Sequence, residues 1–297
     1  MTHVATLISD PAARALDRST LELAGAALAA EPRWLDAGIA ADILFTPKSG
    51  ADHHQALIEL RTALAGRPID VIAQPVAHRR KRLIVADMDS TMIGQECIDE
   101  LADRVGVKAT VAAITERAMR GEIAFAPALR ERVALLAGLD RDVIEEVLAS
   151  RIHLSPGGPA LIATMRAAGA YACLVSGGFT LFADPIAAAI GFDESRANRL
   201  VVENGKLTGR VEEPVLGPEA KLATLHELTA RLLLSPADTL AVGDGANDLA
   251  MLQAAGLGVA YRAKPTVAAK LAARIEHGDL TALLYLQGFR GEEFVTR

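Results

Sequence analysis

Two carboxylates one residue apart are the first groups in this chain with evident chemistry: Asp87 and Asp89, in Asp87-Met88-Asp89-Ser90-Thr91. So close a pair repels itself and raises a pKa unless a cation joins it, and hard oxygen ligands of this kind suit Mg²⁺. The apolar run Leu83-Ile84-Val85-Ala86 leads straight into them. It has the length of a buried parallel strand and lacks the alternation of a half-exposed one. Both aspartates therefore fall at the carboxyl end of a strand, where α/β folds keep their ligand crevices. A D-x-D at a strand end is also a common capping arrangement, so the pair needs company to define a site.

Three later segments supply that company. Residues 172–175 are apolar and lead into Ser176-Gly177-Gly178; Gly217-Pro218-Glu219-Ala220 precedes Lys221 at the opening of a helix; residues 239–242 are apolar and lead into Gly243-Asp244-Gly245-Ala246-Asn247-Asp248. Taken singly these are a strand-to-helix turn, a surface lysine and an acidic glycine-rich turn. An acid pair, a hydroxyl with glycine amides, a lysine and a second acidic loop, in that order, resemble the haloacid dehalogenase-like phosphatases. The resemblance covers about residues 80–290, and the segment after the first strand is similar to the phosphoserine phosphatase family within that superfamily. Met88 stands where many relatives carry Phe, a change in packing alone.

That resemblance implies roles. Asp87 would be the nucleophile, forming an acyl-phosphate that splits phosphomonoester hydrolysis into two displacements. Asp89 would donate a proton to the leaving oxygen and later take one from the hydrolytic water. Mg²⁺ would be held by Asp87, the Asp89 main-chain carbonyl and Asp244. The Ser176 hydroxyl, the Gly177 amide and Lys221 would cradle the phosphoryl oxygens. Asn247, on the substrate side, and Asp248, behind it, would orient the metal loop and the lysine. Phosphoserine adds an ammonium and a carboxylate to its phosphate, so its pocket needs an anion and a cation. Glu96 matches the family's ammonium-binding glutamate, and Arg132 matches the arginine that grips the carboxylate with two parallel hydrogen bonds. Phe125 corresponds to a cap aromatic that closes over the site, and Met119-Arg120-Gly121-Glu122 fits the family's cap pattern. The expected reaction is Mg²⁺-dependent hydrolysis of O-phosphoserine to L-serine and phosphate, the last step of the phosphorylated serine route. Rival readings are a phosphatase or phosphotransferase for another small ester, such as phosphohomoserine, and an amino-acid-sensing regulator with an idle core.

These residues need a frame, and the chain has the material for one. Residues 161–168, 179–189, 221–233, 248–255 and 267–274 read as helices, the second interrupted near Pro185, and 171–175, 239–242 and 257–260 as strands. That alternation predicts an α/β fold with a doubly wound parallel sheet. Residues 199–211 carry the Asn204-Gly205 signal of a β-hairpin. Residues 92–155 are helical and far longer than a crossover requires, so they form an inserted helical cap that excludes water and selects substrates. Residues 1–78 order themselves as strand 3–8, helix 12–30, two short strands within 34–45, helix 53–65 and strand 69–76. This is the pattern of a ferredoxin-like, ACT-like module of the kind that binds amino acids, with a packing or homodimerisation module as an equal reading. The expected division is 1–78 for that module and 79–297 for the catalytic core, cap included.

Composition agrees and excludes other classes. The 297 residues suffice for two domains, and 51% hydrophobic content supplies their cores. A net charge of −6 offers no surface for nucleic acid; the one basic cluster, residues 78–82, reads as a solvated linker. Cys97 and Cys173 form neither a disulfide framework nor a zinc spacing. No apolar stretch has the length and continuity of a membrane span or signal segment, so a cytoplasmic protein without membrane contact is the expectation.

Overall fold

Hydrophobic periodicity switches repeatedly between 2 and 3.6 along the first 75 residues, and the chain folds accordingly. The computed structural model describes residues 1–47, 53–120 and 122–295. In it β1 (His3–Ser9), α1 (Arg18–Leu28), β2 (Pro32–Asp36), β3 (Ala40–Phe45), α2 (His53–Ala63) and β4 (Ile69–Pro75) follow in order. The strands form an antiparallel sheet, β2-β3-β1-β4, the split β-α-β arrangement of ferredoxin-like modules. Helix α1 begins later than its apolar pattern predicts. Asp17 caps it, accepting the Thr20 N–H at 2.7 Å, and the residues before it turn instead.

One face of this sheet packs Ala5, Leu7, Ile43 and Val71 against Leu21, Ala24, Leu57 and Leu60 of the two helices. The other face is buried yet partly polar, with Thr6, Asp42, Asp70 and Gln74 on it. Polar groups left unpaired there would each cost several kcal/mol, and the rest of the chain satisfies them. Arg79 donates to both Asp42 oxygens at 2.6 and 2.7 Å, to Thr6 Oγ1 at 3.0 Å, and to the main-chain oxygens of Leu286 and Tyr285. Asp70 accepts the N–H groups of Glu276, His277 and Gly278, and Gln74 donates to Leu286 O at 2.6 Å. Ile8, Ala40 and Ile72 complete the joint with apolar contact. Replacing Arg79 by Ala leaves Asp42 buried without its cation. Chemical denaturation should then show a loss of ~3–5 kcal/mol; an unchanged midpoint would mean that this brace contributes nothing.

The larger part of the chain opens with β5 (Leu83–Ala86), all four residues of which are buried. Then come α3 (Cys97–Arg104), α4 (Lys108–Met119), α5 (Phe125–Ala134), α6 (Asp142–Ser150), α7 (Gly158–Ala167), β6 (Tyr171–Phe179), α8 (Thr180–Ile190) and β7 (Glu194–Asn198). The hairpin β8 (Leu200–Glu203) and β9 (Lys206–Val211) follows, then α9 (Pro218–Arg231), β10 (Thr239–Gly243), α10 (Leu249–Ala254), β11 (Leu257–Tyr261), α11 (Pro265–Ala268), β12 (Ala273–Ile275) and α12 (Ala282–Leu286). Six strands make a parallel sheet, β12-β11-β10-β5-β6-β7. The chain leaves β5 toward β6 on one side and returns on the other through β10. That reversal opens a crevice at the carboxyl end of β5.

Two helix expectations need correction. Pro185 lies inside α8 and does not interrupt it. It is on the exposed side, where water can satisfy the carbonyl freed one turn back. The helix expected over 267–274 is only the short α11, and Ala273–Ile275 instead adds an edge strand to β11. Three residues are too few for their buried–half-buried–buried alternation to be read from sequence.

Helices α3–α6 form the inserted cap. The hairpin, whose turn places Asn204 and Gly205 in the left-handed region, fastens it by backbone bonds. Gly138 N–H donates to Leu207 O, Leu207 N–H to Leu139 O and Arg141 N–H to Gly205 O, each at 2.8 Å. A side chain at Gly209 would press into Ala137, so cap and hairpin touch closely there.

Candidate active site

The last rung of the β5–β10 ladder sets the first aspartate: Asp87 N–H donates to Val242 O at 3.0 Å. Residues 88–92 then make one wide π-turn, with Ser90 at φ 54°, a left-handed conformation that serine adopts at a cost. Met88 is buried under the turn. Asp89 faces another way from Asp87, accepting the Cys97 N–H of α3 at 2.9 Å and the Ser176 hydroxyl at 3.3 Å. The two carboxylates of the motif thus have separate partners.

Lys221, on the first turn of α9, is 1% exposed, and its Nζ lies 2.6 Å from Asp87 Oδ1 and 2.6 Å from Asp248 Oδ1. Asp248 Oδ2 accepts the Gly245 N–H at 2.9 Å, so both of its oxygens are engaged. The loop after β10 also presents Asp244, which accepts the Thr91 hydroxyl at 3.4 Å. Carboxylate oxygens of Asp87, Asp244 and Asp248 lie within 4.8 Å of one another. Three buried or half-buried carboxylates facing one ammonium leave the cluster short of positive charge, and the titration directions say so. Burial, then the Asp248 charge, raises the Asp87 pKa well above the carboxylate range despite Lys221. Burial and Asp248 raise Asp244 likewise. For Lys221, burial pulls the pKa down, but Asp87 and Asp248 outweigh it and lift it above the usual lysine value. A site of hard oxygens that gains by taking up positive charge fits a divalent metal ion. With Asp248 committed to Lys221 and Gly245, Asp87 and Asp244 are the side chains that would hold it.

The opposite wall is a break in β6. Its register with β7 is lost between Val175 and Phe179, so Ser176-Gly177-Gly178 leaves the ladder and bulges toward Asp89. Gly178 N–H donates to Ser176 Oγ at 2.8 Å and sets the hydroxyl. Phe125, at the start of α5, lies over this wall. A Cβ on Gly177 would come within 3.0 Å of its Cζ, and one on Gly217 within 3.5 Å of its Cδ1. The two glycines form a flat seat for the ring.

The cap supplies two charges at the mouth. Glu96 keeps an open edge to solvent, yet it stands in an acidic recess where it accepts the Ser90 hydroxyl at 2.7 Å. Loss of hydration there, followed by the Asp89 charge, pushes its carboxyl up to about 7. Arg132 of α5 is half-buried, and burial presses its pKa down. Its Nε donates to Ala128 O at 3.2 Å and its Nη1 to Thr115 Oγ1 at 3.4 Å, both neutral, while Asp99 and Glu96 act on it through space. Asn247 is half-buried and folds against Gly245 on the loop that carries Asp244. Gly121 and the Met119 side chain of the cap string lie outside the described residues. Sequence reading did not single out Thr91 as a partner of Asp244. A lone hydroxyl after D-x-D has no mark of such a contact until the second loop is placed beside it.

A switch-point crevice with an acid pair, a lysine buried between carboxylates, a broken strand of hydroxyl and glycines, and a helical lid define a phosphoryl-transfer hydrolase. The haloacid dehalogenase-like hydrolase family model matches residues 84–253. The chain belongs to that family, in its phosphoserine phosphatase branch. It is 46% identical over 231 residues to the phosphoserine phosphatase of Albidiferax ferrireducens, covering 76% of this chain and 98% of that one. A probable phosphoserine phosphatase from Vibrio cholerae, solved unliganded, superposes with a TM-score of 0.77 at 32% identity, over 97% of this chain and 86% of that one. A solved phosphoserine phosphatase holding a phospho-aspartyl intermediate analogue superposes with a TM-score of 0.64 at 40% identity, over 69% of this chain and 98% of that one.

Proposed function

We propose that this chain hydrolyses O-phospho-L-serine to L-serine and phosphate through an aspartyl-phosphate on Asp87, with Mg²⁺ as its metal. The observation that carries the substrate is at the mouth. A carboxylate, Glu96, stands at the open edge of the site and a guanidinium, Arg132, is half-buried across from it, and both are hydrogen-bonded to neutral groups. Each would gain by meeting an opposite charge, and serine offers an ammonium to one and a carboxylate to the other.

Asp87 Oδ1 accepts both Lys221 and the Met88 N–H, which leaves Oδ2 as the attacking atom. A bond forms from that oxygen to phosphorus as the phosphorus–serine oxygen bond breaks, and Asp89 passes a proton to the departing oxygen. Burial raises the Asp89 pKa, which favours the protonated form that this step needs. Asp89, now ionised, takes a proton from the water that attacks phosphorus and restores Asp87. Lys221, the Ser176 hydroxyl and the Gly177 amide hold the equatorial oxygens. When bound at Asp87, Asp244 and the Asp89 carbonyl, Mg²⁺ would offset phosphoryl charge. Phe125 over Gly177 keeps water from the reacting groups. Asn247 steadies the metal loop from the substrate side.

We place the domain division at 1–78 and 79–297, with residues 92–155 as the cap; the helices α3–α6 and the polar joint around Arg79 support it. A cytoplasmic setting is the one in which two free cysteines, Cys97 and Cys173, both buried, are ordinary. Among the described residues, no helix is long and apolar enough to cross a membrane.

The test is phosphate release from L-phosphoserine, phosphoethanolamine and p-nitrophenyl phosphate, with Mg²⁺ or with EDTA. L-phosphoserine should be strongly preferred and EDTA should stop turnover. Arg132→Ala should raise KM for phosphoserine ~10–100-fold and leave phosphoethanolamine, which has no carboxylate, near its starting value. Glu96→Ala should raise KM for both ammonium-bearing esters and spare p-nitrophenyl phosphate. Equal losses on all three esters would refute these roles, and turnover confined to other esters would discard the substrate.

A further inference from the structure

Asn198, the last residue of β7, is 3% exposed and has no part in the chemistry above. Its carboxamide nevertheless makes three hydrogen bonds. Nδ2 donates to Gly177 O at 2.9 Å and to Leu216 O at 3.1 Å, and Oδ1 accepts the Leu216 N–H at 2.7 Å. Both amide protons are used and the oxygen is engaged, so the side chain is fully directed. Toward Leu216 it behaves as a peptide unit would, donating and accepting at once.

The two segments it joins both belong to the phosphoryl site. Gly177 lies in the stretch where β6 has left its ladder with β7, and the ladder resumes only at Phe179, opposite Asn198 itself. Two consecutive glycines without ladder bonds are an entropically costly piece of backbone to hold in one shape. Leu216 precedes Gly217, the N-cap of α9, and Lys221 stands one turn further on. Gly177 and Gly217 are also the two seats of the Phe125 ring. One buried side chain therefore spans the cradle, the lysine helix and the floor under the lid.

We propose that Asn198 is a positioning residue for phosphoryl transfer, fixing the Ser176–Gly177 cradle relative to the helix that delivers Lys221. It acts through backbone and touches no substrate. The inference rests on the phosphatase reading above. Positioning and electrostatic stabilisation supply almost all of the catalysis in phosphoryl transfer, and a misplacement of ~1 Å can cost ~10²-fold.

Asn198→Asp is the sharpest test. It keeps the shape and the acceptor for Leu216 N–H but sets a carboxylate oxygen against two carbonyl oxygens. kcat on phosphoserine should fall ~10–100-fold and by more than KM rises, because Glu96 and Arg132 still hold the serine end of the substrate. Inhibition by vanadate, which imitates five-coordinate phosphorus, should weaken alongside kcat. Asn198→Ser, which shortens the reach without adding charge, carries the same measurements should the aspartate variant not fold. Ile190→Val, at the far end of α8, should lower the melting temperature with no change in the vanadate constant, separating positioning from plain loss of stability. A folded Asn198 variant with kcat and vanadate affinity within about two-fold of the parent would overturn the proposal while the phosphatase reading stood. A parent protein that turned over no phosphate ester would remove that reading, and this role with it.

Discussion

Asp87→Asn should abolish phosphate release from L-phosphoserine, by at least ~10³-fold in kcat, in a protein that stays folded. The neutral amide is far too weak a nucleophile to attack phosphorus, and two neighbouring carboxylates are held by other partners. Asp89 is engaged with Cys97 N–H and the Ser176 hydroxyl, and Asp248 with Lys221 and Gly245 N–H. Stability should be retained or should rise. The parent buries two carboxylates against one ammonium, with the Asp87 pKa raised by burial and by Asp248. Removing one negative charge leaves Lys221 and Asp248 as a simple pair and relieves that strain, a trade common where function imposes unfavourable electrostatics. Phosphate release and thermal melting on the same preparation check both halves. Residual turnover above a hundredth of the parent's would sink the nucleophile assignment.

Lys221→Met should lose both turnover and stability. The ammonium lies 2.6 Å from each of two carboxylates in a site closed to water. Its removal leaves Asp87 and Asp248 buried, alike in charge and unpaired, at a cost of ~3–5 kcal/mol. The deficit should depend on pH, and its sign follows from the direction of the shift. Asp87 already has a folded-state pKa above its unfolded value, and loss of Lys221 raises it further. Such a group binds a proton on folding, so its penalty is small below the ordinary carboxylate pKa of ~4 and grows as pH rises above it. Denaturation in EDTA should therefore show a smaller gap between variant and parent at pH 5 than at pH 8. A gap independent of pH would show that the carboxylates do not meet the lysine as described.

Much of the site was legible because its signals are local. An apolar run ending in Asp87 and Asp89, another ending in Ser176-Gly177-Gly178 and a third ending in Asp244 each place their polar residues at a strand's carboxyl end. A parallel sheet sends all such ends to one edge. The length of the helical stretch after β5 marked an insertion, and Asn204-Gly205 marked a hairpin, because crossover length and left-handed turn residues are constraints of a few residues' reach. The helix expected over 267–274 failed for the matching reason: the open edge of β11, which lies outside that window, decides that Ala273–Ile275 is a strand.

What the sequence by itself determined, then, is which residues reach the edge of the sheet and in what order, since period and strand length are properties of neighbours along the chain. Tertiary structure alone decided which of those residues meet. It put Lys221 between Asp87 and Asp248, brought Asp244 beside them, and turned Asp89 toward Ser176. It laid the polar face of the first sheet on Arg79 and gave Asn198 its two backbone partners. Each of these contacts joins segments tens to hundreds of residues apart. Burial there makes an unpaired polar group too costly to keep, so the partner is chosen by the packing of the whole chain and not by the residues beside it.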